Sequence, residues 1–124
     1  MKKVIFRGSL RNNHENNRTH LAGALLLSSA SLFAASHLDT ALEHANAAVK
    51  EGQAGKAPKL VVHAKAALEH SLAASVVAKS VTKTHIDAAS ISLQNAIDHG
   101  NLNHVEPATS SAQEAVKHLE EAKK

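Results

Sequence analysis

A sixteen-residue unit recurs four times in this 124-residue chain, beginning at His37, Lys56, His85 and His104, so that successive starts lie 19, 29 and 19 residues apart. The first and third copies, like the second and fourth, are 48 residues apart. Offsets of this kind are what the duplication of a two-element unit leaves behind. The copies are HLDTALEHANAAVKEG with KAPKLVVHAKAALEHS, then HIDAASISLQNAIDHG with HVEPATSSAQEAVKHL. Their composition and length suit helices, so the predicted fold is all-α: an antiparallel up-down four-helix bundle built from a duplicated helical hairpin.

Inside the copies, apolar residues fall at heptad spacing: Leu38, Ala41, Leu42, Ala45, Ala48 and Val49 in the first, and Ile86, Ala89, Leu93, Ala96 and Ile97 in the third. Such stripes are the buried seams of a bundle. Being mostly alanine, they let helices approach closely but bury little area per residue, which predicts modest stability. The residue before each copy, Ser36, Gly55, Thr84 or Asn103, can cap a helix, and Asp39, Asp87 and Glu106 stand where a capping box would place its carboxylate. Gly52 and Gly100 are expected at the left-handed position that ends a helix, opening the matched turns GQAG and GNLN. The second helix is expected to run on through Val77, leaving residues 80–83 as the linker between hairpins.

The net charge of +3 is unevenly spread. Residues 1–35 carry Lys2, Lys3, Arg7, Arg11 and Arg18 against Glu15, or +4, whereas residues 36–124 carry nine lysines against ten carboxylates, or −1. A basic start, the apolar run LAGALLLSSASLFAA from Leu21 to Ala35, and small residues around Ala34 to Ser36 read as an export signal over residues 1–35. The run of 15 is short for a hydrocarbon core about 30 Å thick, which favours a cleaved signal over the alternative of a retained membrane anchor, and no membrane attachment is expected after cleavage. The domain is then residues 36–124, periplasmic or secreted, and expected to be a monomer. Without arginine or aromatic side chains, residues 36–124 lack the charge and the stacking surfaces of a nucleic-acid partner. The absence of cysteine removes disulfides and thiolate sites, and Met1 is the only methionine.

Eight histidines follow the leader, all in one phase of the repeat: His37, His85 and His104 at the first position, His44 and His63 at the eighth, His70, His99 and His118 at the fifteenth. Sevenfold spacing puts them on one stripe, about 10.5 Å apart along a helix, too far for two neighbours to hold an ion about 2.0–2.1 Å from each nitrogen. A partner must come from the adjoining helix. Antiparallel pairing brings level the residues whose numbers add to 107 in the first hairpin and to 203 in the second. His37 then meets His70, His44 meets His63, His85 meets His118 and His99 meets His104, with Ser92 opposite Ser111 and Glu51 opposite Lys56 as an expected ion pair. Glu114, one turn before His118, is the expected third ligand there, and Asp98 and Glu106 are expected near His99 and His104. Imidazole with oxygen donors suits copper(II), nickel(II) and zinc(II), copper(II) binding most tightly. Sites with only two strong ligands suit buffering or scavenging.

The competing possibility is a structural or protein-interaction bundle whose histidines are solvent-exposed or sense pH. The helix dipole accounts for His70, His99 and His118 near helix ends, but it disfavours charged imidazoles at the helix starts, where His37, His85 and His104 lie. No enzyme is expected: there is no H-E-x-x-H, no paired E-x-x-H and no glycine-rich phosphate loop.

The blocks HLDTALEHANAAVKEG, HAKAALEH and HVEPATSSAQEAVKHLEEA resemble the small metal-binding protein family, over about residues 36–122. The resemblance implies an exported four-helix bundle that binds copper(II) and other divalent ions. It carries the ligand role onto His37, His44, His63, His70, His85, His99, His104 and His118. Glu51, Lys56, Ser92 and Ser111 stand where the family usually has histidine, removing one rung from each hairpin.

Overall fold

The computed structural model describes residues 29–124. Residues 33–124 form one compact unit, the bundle. The expected export signal falls for the most part outside the described residues. Helix α1 is helical from residue 29 to residue 53 and runs unbroken through residues 34–36. It is followed by α2 (Ala57–Val77), α3 (Ser80–Asn101) and α4 (Val105–Ala122).

Four antiparallel helices form a closed ring. Ring contacts pair α1 with α2 and α3 with α4. Ser75 on α2 meets Asp87 on α3, and Lys123 just beyond α4 meets Asp39 on α1. These last two contacts are equivalent under the repeat, because Asp87 is 48 residues after Asp39 and Lys123 is 48 after Ser75. The hairpins are therefore related by an approximate two-fold axis.

The buried seams alternate steps of three and four residues: Leu38, Ala41, Ala45 and Ala48 on α1; Leu60, Ala64, Ala67, Ser71 and Ala74 on α2; Ile86, Ala89, Leu93 and Ala96 on α3; Ala108, Ala112, Ala115, Leu119 and Ala122 on α4. An average step of 3.5 is the packing of near-parallel coiled helices. Leu42 and Val49 lie at the margin of this core rather than in it. By length and composition α2 could cross a membrane, but its alanine and leucine seam packs into the bundle.

Helix ends depart from expectation. The left-handed residues at the turns are Gly55 (φ 75°) and Asn103 (φ 59°), not Gly52 and Gly100, which remain helical. Both turns are Schellman motifs. Lys56 N–H donates to the Glu51 carbonyl at 2.8 Å and Gly55 N–H to that of Gly52 at 2.9 Å; His104 N–H donates to His99 at 2.9 Å and Asn103 N–H to Gly100 at 3.0 Å. Gly52 and Gly100 serve close packing. A Cβ on Gly52 would overlap Thr109 and approach Leu60 to 2.8 Å, and one on Gly100 would lie 2.5 Å from Val61.

The expected caps are not used. Ser36 and Thr84 lie inside helices, and the flanking residues Lys56, Lys79 and His104 make no side-chain capping bond. Thr84 instead donates back to the Ser80 carbonyl at 3.3 Å. Nor are residues 80–83 the linker. Ala78 and Lys79 are, and 80–83 form the first turn of α3. The Lys83 ammonium holds that turn by bonding Asp87 one turn on at 3.0 Å and Ser75 of α2 at 2.6 Å. Asp87 is thereby occupied, and its carboxyl is held below the usual range by the Ser75 hydroxyl first and by Lys83 second.

Candidate metal centre

The eight histidines line the α1–α2 and α3–α4 seams, and each meets the partner at its own level. His37 and His70 have ring centroids 5.1 Å apart and Nδ1 atoms 2.8 Å apart. His44 and His63 follow at 5.6 Å, with Nδ1 atoms 3.3 Å apart. In the second hairpin the centroids are 6.0 Å apart for His85 with His118 and 6.1 Å for His99 with His104. These pairs form because antiparallel helices align residues flanking the seam, and because alanine in the seam keeps the helices close.

All of these imidazoles except exposed His104 are half-buried. His99 and His104 are joined by the Schellman turn itself, through the His104 N–H to His99 carbonyl bond. Lys56 and Glu51 share the same backbone bond in the first hairpin, but the expected ion pair is absent from those among the described residues. Alignment of the backbone does not bring their flexible ends together at an exposed turn.

In the first hairpin each Nδ1 pair is an imidazole–imidazole hydrogen bond, at a separation that a shared divalent ion would also permit. Nitrogens 3.3 Å apart, as in His44 and His63, subtend about 107° at an ion about 2.05 Å from each, near the tetrahedral angle. The 2.8 Å of His37 and His70 gives about 86°, the cis angle of tetragonal or octahedral coordination. The Nδ1 atom of His99 is buried without a hydrogen-bond partner, which leaves a lone pair or proton there to be satisfied.

Oxygen donors are sparser. Among the described residues no three His, Asp or Glu side chains are already gathered to hold one ion. Glu114 comes nearest to supplying a third donor, its Oε1 lying 3.9 Å from His118 Nε2 beside an open groove lined by Ser110, Gln113 and Lys117. Asp98 instead accepts a hydrogen bond from Gln94 at 2.9 Å, and Glu106 lines a groove by the α1–α2 turn with Gly52 and Thr109. Two contacts were not foreseen. Phe33 packs edge-on against His37 with centroids 4.3 Å apart, and His44 stacks on His70 of the neighbouring rung at 6.1 Å. The spacing of four between Phe33 and His37 was the available signal for the first.

No curated protein matched the chain. A family model described as "Small metal-binding protein" matches residues 14–122, starting further upstream than the resemblance in the repeats alone. That description and the paired imidazoles agree on a metal-binding role. The chain belongs to the small metal-binding protein family.

Proposed function

We propose that this protein is a metal buffer or scavenger acting outside the cytoplasm, taking up copper(II) foremost and nickel(II) or zinc(II) less tightly. The ions are held by cross-helix histidine pairs: His37 with His70, His44 with His63, His85 with His118 assisted by Glu114, and His99 with His104. The observation that carries this is the pairing of all eight imidazoles across two seams, with Nδ1 separations of 2.8 and 3.3 Å in the first hairpin. Nitrogen with oxygen donors places copper(II) first among the common divalent ions. Half-buried sites with two strong ligands exchange readily, which suits holding and releasing ions. The basic, apolar leader supports an extracytoplasmic location.

The test is native mass spectrometry of the protein recovered from the periplasm or medium, with and without copper(II). The expected spectrum shows a chain shortened near residues 34–36 and several bound ions per chain. A protein that leaves copper(II) free at micromolar concentration and neutral pH would overturn metal binding; a full-length chain retained in the cytoplasm would overturn the location.

A further inference from the structure

The first hairpin differs from the second in how its imidazoles meet. Side chains on a helix lean toward that helix's own N-terminus. In the antiparallel pair α1 and α2, His44 therefore leans toward the level of His37, and His70 leans toward the level of His63. The diagonal from His44 to His70 closes, and the diagonal from His37 to His63 opens.

The rings lie accordingly. His44 and His70 are parallel, with 5° between their planes and centroids 6.1 Å apart. His70 also has its Nδ1 2.8 Å from that of His37, and His44 has its Nδ1 3.3 Å from that of His63. Among the described residues, His44 and His70 thus meet two imidazoles each, whereas His63 meets His44 alone. Among the described residues, His37 meets no imidazole besides His70, and Phe33 packs against it on another side. In the second hairpin the positions equivalent to His44 and His63 are Ser92 and Ser111, so its two histidine pairs stand apart.

Resting on metal binding by these histidines, we infer that the first hairpin is one coupled site in which His44 and His70 are shared donors. Its first ion is held by three imidazoles, His44 and His70 with either His37 or His63, and this hairpin fills before the second. His44 and His70 lie parallel in the structure with centroids 6.1 Å apart, so binding turns their ring edges toward a common point. That is a side-chain rotation of half-buried groups. Independent rungs give a different hierarchy, in which the two members of any pair matter equally.

The experiment replaces His37, His44, His63 and His70 singly with serine, the residue the second hairpin carries at two positions of this phase. Helical content is checked by circular dichroism, and affinity for the first copper(II) ion is measured by competition titration. His44→Ser and His70→Ser are expected to weaken that ion about tenfold more than His63→Ser and His37→Ser, because only the latter two leave a three-imidazole set. Pulsed electron paramagnetic resonance of the unsubstituted protein at one equivalent of copper(II) is expected to count three coordinated imidazoles. Equal losses within each pair, or two imidazoles at one equivalent, would overturn the coupled site while leaving metal binding intact. Absence of copper(II) binding in the unsubstituted protein would remove the proposed function itself.

Discussion

Thr109 on α4 fills the space that a side chain on Gly52 of α1 would need. The threonine cannot readily turn away, since its hydroxyl donates to the Val105 carbonyl at 2.7 Å and its β-branch restricts the rotamers available in a helix. Replacing a helical glycine by alanine ordinarily stabilises by about 0.5–1 kcal/mol. Here overpacking of about 1–3 kcal/mol opposes that gain. Gly52→Ala should therefore destabilise by a net of about 1–2 kcal/mol, as read from urea unfolding followed by circular dichroism. Adding Thr109→Ala should restore most of the loss. A stabilised Gly52→Ala variant would show that α1 and α4 are not in close contact there.

Gly52 also illustrates what could be read from sequence. A glycine near the end of an apolar stripe suggests a left-handed helix end, and at Gly52 that suggestion was misplaced by three residues. Comparing the hairpins would have corrected it, because the residue equivalent to Gly55 is Asn103, and asparagine is the side chain that best tolerates positive φ. The seams, the antiparallel order and the four ring pairs were legible because periodicity and residue numbers fix which positions come level. The diagonal meeting of His44 and His70 was not, since it depends on the lean of side chains rather than on helix register. The caps at Ser36 and Thr84 failed for another reason. Both helices are already under way upstream of these residues, and on α3 the Lys83 to Asp87 bond outweighs a local capping preference.

Ser71 occupies the core position that Leu119 fills in the other hairpin, and its hydroxyl is fully buried without a hydrogen-bond partner. A buried hydroxyl left unbonded forfeits its hydration with no return, at about 1–3 kcal/mol. Ser71→Ala removes the hydroxyl, opens little space and raises helix propensity. The expected outcome is stabilisation by about 1 kcal/mol, seen as a higher urea midpoint with an unchanged slope. A lower midpoint would mean that the hydroxyl has a partner.

Asp87 should make the metal-free protein acid-sensitive in a defined direction. Its folded carboxyl is held below its ordinary value of 3.8 by Ser75 and Lys83. A depressed carboxylate contributes stability that is fully present above the ordinary value and is lost as pH falls below it, through the folded value. Asp87→Asn should therefore lower the urea midpoint at neutral pH and flatten the decline on acidification below about pH 4. Parallel acid limbs in the two proteins would show that Asp87 titrates as in the unfolded chain.

Bound copper(II) should leave at a pH set by imidazole, not by carboxylate. Protons compete for the same nitrogen lone pairs that hold the ion, so uptake should fall as pH drops through about 6. Glu114 provides the contrast within the molecule. Its carboxylate oxygen lies 3.9 Å from His118 Nε2, where it can add an oxygen donor without supplying the nitrogen lone pairs for which protons compete. Glu114→Gln should accordingly weaken the ion at His85 and His118 while leaving the pH of release unchanged, as measured by equilibrium dialysis from pH 4 to pH 8. Retention of the full complement of ions at pH 4 would assign them to carboxylates instead of to the histidine pairs.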